Sequence, residues 1–222
     1  MEENLPIDGR QARKAANCDK LIQTAFQLLE VRGIYGLTVR GLAEEAQMAP
    51  ATIYNLFGSK AGLLTSMLKG LPEHGPSLDL DHADCDPLNA VLKFIDHISI
   101  EWTKPDSPIS ALVLANRRQG AIAPLLLPSV QNQLTFIVVR FFELGWISDE
   151  IPSSTLANRI AYANAGLFDA WLEGAVSTEV VWSEHRMNFL LPVLTAAKDS
   201  KRMSIKAAIE ETLAAVTDGN MD

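Results

Sequence analysis

The strongest constraint on how this chain can fold lies in residues 38–64, TVRGLAEEAQMAPATIYNLFGSKAGLL. Thr38 offers a side-chain oxygen suited to capping a helix, and Val39, Leu42, Ala43 and Ala46 then recur at the i, i+3, i+4, i+7 spacing of one buried stripe. Gln47, Met48 and Ala49 interrupt that period. Pro50 suits a first helical position, where its missing N–H would have had no intrahelical partner, so a second helix is predicted to start there. Its inward face is Ile53, Leu56 and Phe57, which leaves Ala51, Thr52, Tyr54 and Asn55 on or near the outside. Gly58 stops it and Ser59 caps a third helix.

Two short helices joined by a turn of three or four residues make a helix-turn-helix, whose second helix can enter the B-DNA major groove, about 12 Å wide. The stretch resembles the DNA-binding segment of the TetR-like family of one-component transcriptional regulators. The likeness is carried by Thr38, Val39, Leu42, Ala43, Ala46, Thr52, Ile53, Tyr54, Phe57, Lys60, Leu63 and Leu64. Three positions depart from the family habit: Gln47 stands where Gly is usual, Ala49 where Ser or Thr is, and Leu56 where His or Tyr is. The resemblance implies an all-α chain, with an N-terminal three-helix DNA-binding domain and a C-terminal helical domain for ligand binding and dimerisation. It further implies that Tyr54 and Lys60 hold phosphates and that Thr38 and Arg40 lie at the DNA backbone. Pro50, Ala51, Thr52 and Asn55 would then face base edges. The plain alternative is a structural αα corner in which Tyr54 packs and Lys60 is solvated; the joint spacing of turn, cap and outward polar set favours DNA.

Charge is distributed in keeping with this. The whole chain carries a net charge of −8, which argues against indiscriminate binding to nucleic acid or anionic membranes. Residues 1–70 nevertheless hold 8 Lys and Arg against 7 Asp and Glu, whereas residues 71–222 hold 11 against 20. Without the acidic first nine residues, the N-terminal part has a modest basic footprint, with Arg10, Arg13 and Lys14 leading into a helix that Gly33 ends. That basic start is expected to reach DNA as an arm or to be a solvated tail.

The N-terminal domain is expected over 10–70, a linker over 71–87 and the C-terminal domain over 88–218. The linker is rich in Pro, Gly and acids. Its cluster of Asp79, Asp81, His82, Asp84, Cys85 and Asp86 fails the EF-hand pattern and reads as a solvated acidic loop, so no metal and no cofactor are expected. Cys18 and Cys85 have no metal or redox spacing and are expected to be free thiols. The N-terminus reads as no signal peptide and no stretch is expected to approach the roughly 18 to 20 apolar residues of a membrane span, so a cytoplasmic protein with no membrane partner is expected.

From Leu88 the periodicity is helical. Helices are expected from Leu88 to Lys104, Pro108 to Gly120, Pro128 to Gly145, Pro152 to Gly174 and Val181 to Leu194, with Pro192 a kink or stop, and a last one opening at Ser204. The run LTFIVVRFF at 134–142 has strand-like composition, yet its unbroken surroundings are too long for a strand and predict a buried helix. The 152–174 segment has two apolar faces and small residues, which imply packing on its own domain and on a second copy. The family resemblance implies a homodimer formed by the C-terminal helices, placing two recognition helices about 34–36 Å apart on a palindromic double-stranded operator. A small-molecule effector of unknown identity would lie in an apolar cavity of the C-terminal domain and release the DNA. Candidate ligand residues are His97, Trp102, Arg117, Phe136, Tyr162 and Trp171, polar or aromatic groups in apolar helices. The competing reading is an all-helical enzyme or small-molecule carrier, although no Ser-His-Asp, Cys-His, metal or phosphate-loop signature is present.

Overall fold

In the computed structural model, residues 9–74, 78–80, 86–105, 107–117 and 123–217 are described, and they are all-α, with one isolated β-bridge between Ile147 and Ala197. The first helix, α1 (Gly9–Gly36), carries the basic lead-in on its exposed opening turns. It breaks at Gly33 (φ 65°, ψ 179°), a backbone conformation open to glycine alone, before one last turn. Then come α2 (Val39–Ala46), α3 (Pro50–Phe57) and α4 (Lys60–His74). Leu21, Ala25, Leu28 and Leu29 of α1 meet Leu42, Ala43 and Ala46 of α2, Ile53 of α3, and Leu63, Leu64, Met67 and Leu68 of α4 in one core. The stripe at 39–46 is covered by α1, as its spacing required.

The remaining helices are α5 (Pro87–Thr103), α6 (Pro108–Arg117), α7 (Ala123–Glu143), α8 (Ser153–Leu172), α9 (Thr178–Ala196) and α10 (Asp199–Thr217). Their main core joins Val91, Leu92 and Ile95 of α5 to Ile137, Val138 and Phe141 of α7, Ile160 of α8 and Phe189, Leu190 and Val193 of α9. The run at 134–142 is helical. Only one side of it is fully buried, since Phe136 and Phe142 are exposed.

Three sequence boundaries move. Pro192 neither stops nor shortens α9, which runs on to Ala196; the lost N–H costs one ladder bond, and the Thr195 hydroxyl takes up the Pro192 carbonyl at 2.6 Å. Pro128 likewise lies inside α7, which opens at Ala123. The last helix opens at Asp199 rather than Ser204, because Asp199 puts a carboxylate in the first turn and the Lys198 carbonyl already accepts from Lys201 and Arg202. The expectation that no stretch could span a membrane also needs correction: Leu125–Glu143 has the length and apolarity for it. In the fold this helix packs against α4 and α8, with Ile137, Val138 and Phe141 in the core.

The two halves are not separated by a polar seam. Leu112 and Val113 of α6, Leu126 of α7 and Leu172 of α8 join the core built by α1–α4, and α6 packs on both α1 and α4. Most of the acidic cluster at 79–86 lies outside the described residues, as does Cys85; Cys18 is a free thiol.

Candidate DNA interface and effector cavity

The DNA-facing unit is assembled by local chemistry. Thr38 caps α2, its Oγ1 accepting from Gly41 N at 3.0 Å. Gln47 closes α2 in the left-handed conformation (φ 55°, ψ 44°): its own N–H goes to the Glu44 carbonyl and that of Met48 to the Ala43 carbonyl. This is a Schellman closure, with glutamine where the geometry favours glycine. Pro50 stands at the start of α3, and Gly58 ends it with its N–H on the Tyr54 carbonyl. Ser59 then caps α4 through Gly62 N at 3.0 Å. Gly62 is obligatory, because a Cβ there would collide with the Phe57 carbonyl oxygen, so α4 is seated directly against the end of α3. Outside this core, α1 is tied to α2 by Lys20 Nζ on the Ala46 carbonyl (2.9 Å) and by the exposed Arg32–Glu45 pair (3.5 Å).

On α3 only Ile53 is fully buried, at 1% exposure. Pro50, Ala51, Asn55 and Lys60 are exposed, Tyr54 is half-exposed and Thr52 is partly covered. Arg40 is exposed and pairs with Glu44 of its own helix at 3.1 Å, a contact in open solvent that is easily exchanged for a phosphate. Of the eight residues assigned to DNA by sequence, seven are exposed and Thr52 is partly covered, and they lie at the start of α2, along α3 and at the start of α4. The N-terminal amides of α4 beside Lys60 suit an anion.

The C-terminal half contains an apolar cavity of about 150 Å³, walled by α5, α7, α8 and α9 with contributions from α4 and α6. Of the ligand candidates, His97 and Trp102 line it. Phe136 and Tyr162 stand elsewhere on the surface, and Trp171 packs against the core shared with α1–α4, its Nε1 donating to Thr178 Oγ1 at 3.3 Å. The Arg117 side chain lies outside the described residues. Sequence reading passed over the two buried polar residues of the wall, Asn164 of α8 and His185 of α9, 8% and 7% exposed; Gln133, Glu101 and Asp169 are the other polar lining residues besides His97. Ser99 of α5 meets His185 Nδ1 at 2.8 Å, and Phe168 packs edge-on against the imidazole, centroids 5.3 Å apart. Burial outweighs the raising influence of Asp96 and brings the His185 pKa down to about 4, so the ring is neutral at neutral pH. Asp96 itself is clamped by Arg186, Nε at 2.6 Å and Nη2 at 2.5 Å, which fastens α5 to α9.

A serine 2.8 Å from a histidine has the spacing of a nucleophile and its base. Here the Ser99 hydroxyl proton goes to the Ile95 carbonyl one turn back at 2.9 Å, and in this arrangement the serine oxygen accepts from the imidazole. Asn188 Nδ2 donates to Asn164 Oδ1 at 3.0 Å and holds that amide in place. Leu71, Leu126 and Leu172 line the cavity and also belong to the core under the helix-turn-helix, so the two sites share a wall.

A short-turn pair of helices with an exposed second helix, carried on a helical body that holds an apolar cavity, is a helix-turn-helix unit joined to a larger helical domain. Residues 21–67 match the model for the N-terminal domain of "Bacterial regulatory proteins, tetR family". Over those residues the chain is similar to the DNA-binding domain of that family, and the match covers less than half of its length. Among curated proteins none matches. Solved structures share the fold at low identity. RolR in complex with resorcinol is 15% identical, with TM-score 0.57 over 87% of this chain and 94% of its own. TylP, a tetR regulator from Streptomyces fradiae, is 14% identical, with TM-score 0.54 over 95% and 100%. SmeT, the repressor of the Stenotrophomonas maltophilia multidrug efflux pump SmeDEF, is 13% identical, with TM-score 0.53 over 82% and 91%.

Proposed function

We propose that the chain is a sequence-specific DNA-binding transcriptional regulator, a cytoplasmic repressor that binds a palindromic operator as a homodimer and leaves it when a small molecule enters the cavity. The observation that carries the reading is the outer side of α3: Ile53 alone is buried there, and Pro50, Ala51, Tyr54 and Asn55 are presented to solvent next to Lys60. Phosphate contacts from Tyr54, Lys60, Thr38 and Arg40 would set the register, and Pro50, Ala51, Thr52 and Asn55 would read bases. The cavity supports ligand control because Leu71, Leu126 and Leu172 face both it and the DNA-binding core. A ligand that favours one seating of α4 over another would change the distance between two recognition helices. The reading is in keeping with two neighbours in fold, RolR, whose structure is a complex with resorcinol, and SmeT, the repressor of a multidrug efflux pump. The enzyme alternative draws no support from the Ser99–His185 pair, whose proton is spent on the helix.

Gel shifts with DNA from beside the chain's own gene, with and without a metabolite panel, test the proposal. Binding abolished by one metabolite supports it. No binding to any fragment favours a carrier or enzyme, and binding indifferent to every metabolite rejects the ligand control.

A further inference from the structure

We infer that the cavity takes an uncharged, single-ring ligand bearing a hydroxyl group, gripped between His185 and Asn164. The inference rests on the effector reading above and specifies its ligand. Size comes first. A cavity of about 150 Å³ with largely aliphatic and aromatic walls suits a ligand about the size of one benzene ring.

Polarity narrows the class. The Ser99 hydroxyl proton is committed to the Ile95 carbonyl, so His185 Nδ1 carries the hydrogen and donates to Ser99 Oγ. Nε2 is thereby left as an acceptor, with no partner among the described residues. Asn164 accepts from Asn188 through Oδ1, which leaves its Nδ2 hydrogens as donors, again with no partner among the described residues. Both residues line one stretch of the cavity wall, linked through their neighbours. Asn188 lies one turn from His185 on α9 and bonds Asn164; Phe168 lies one turn from Asn164 on α8 and packs on His185. One acceptor and one donor along that stretch match a hydroxyl, which gives its proton to Nε2 and accepts from Nδ2. A plain hydrocarbon would leave both buried groups unpaired.

Charge narrows it again. The described lining contains no Lys or Arg, and its carboxylates are Glu101 and Asp169, both only half-buried, with Glu101 already bonded by Ser107 at 2.9 Å. An anion would enter without a counter-charge. The deep contact is made by two neutral groups, the imidazole being uncharged at neutral pH.

The test is calorimetric titration of the full-length, DNA-free chain with phenol, toluene, benzoate and benzylammonium. Phenol is expected to bind once per subunit, toluene at least about tenfold more weakly, and the two ions more weakly still. His185→Phe and Asn164→Leu should each bring phenol down to the toluene affinity while sparing toluene. The wild-type probe series decides the matter even where a variant fails to fold. Toluene matching phenol, either ion binding more tightly than phenol, or no ring binding at all would overturn the inference. Because no DNA is present, such a failure leaves the DNA-binding proposal standing. Phenol that binds as expected without loosening DNA would uphold the ligand class and reject only its control of the operator.

Discussion

Asn116 of α6 reaches across to Leu64 of α4, its Nδ2 donating to the Leu64 carbonyl at 3.2 Å while also capping the Leu112 carbonyl at 3.0 Å. Its Oδ1 accepts from Thr65 Oγ1 at 3.3 Å, and the whole side chain is 2% exposed. This is the polar rivet in an otherwise apolar junction between the DNA-binding helices and the body that holds the cavity. Removing it strands groups that water cannot reach. Asn116→Ala is expected to cost about 1–3 kcal/mol in urea unfolding and to weaken the effect of any ligand on DNA affinity. A stability change of less than about 0.5 kcal/mol would mean that the apolar contacts alone hold the junction.

Gln47 occupies a left-handed position where glycine carries no steric penalty. Gln47→Gly should therefore stabilise the chain by about 1 kcal/mol, relief of the side-chain clash outweighing the added freedom of the unfolded chain. A rise of about 2–4 °C in Tm is the expected reading, and an unchanged or lower Tm would contradict it.

Gly62 is expected to behave in the opposite way. Gly62→Ala pushes α4 off the end of α3, because the new Cβ and the Phe57 carbonyl oxygen cannot share the space. Lys60 then leaves its place beside Tyr54. DNA affinity should fall by more than about tenfold even in protein that remains folded by circular dichroism, and retention of full affinity would show that the seating of α4 is immaterial.

These helix boundaries were readable from the letters because they are local. A cap oxygen, a proline at a helix start and a glycine at its end act within one turn, so Thr38, Pro50, Gly58 and Ser59 announce α2, α3 and α4 without any knowledge of the rest. The cavity is different in kind. Its polar wall brings together Asn164 and His185 from different helices, and His185 stands between charged Glu184 and Arg186, so nothing local marks it as inward-facing. Phe136 and Tyr162 attracted notice as aromatic residues in apolar helices, yet α7 and α8 carry more apolar side chains than their inner faces can bury, and these two point outward. The one available signal was the pair Asn164 and Phe168, a polar and an aromatic residue one turn apart on a helix whose other fully buried residues are aliphatic. The helix boundaries at Pro128 and Pro192 were misjudged because a proline was given more stopping power than one lost hydrogen bond supplies.

His185 also makes stability depend on pH. Its pKa falls from an ordinary 6.5 to about 4 on folding, through burial. The unfolded chain therefore takes up a proton at this site more readily than the folded one, and stability contributed by the neutral ring is present above about pH 6.5 and lost as pH drops towards 4. The difference corresponds to about 3 kcal/mol at most. His185→Phe should flatten the Tm profile between pH 6.5 and 4.5 relative to the wild type. Parallel profiles would show that acid acts elsewhere.

The central claim, that the outer side of α3 reads DNA, is tested most directly by anisotropy titration of a duplex enriched by the full-length chain from a random pool, against its scrambled counterpart, at several salt concentrations. The wild type should prefer the enriched duplex. Lys60→Ala should weaken both duplexes alike and lower the salt slope by about 1, and Asn55→Ala should cost about 1–3 kcal/mol on the enriched duplex alone. Equal affinity of the wild type for both duplexes, or an Asn55→Ala variant indistinguishable from it, would contradict the account.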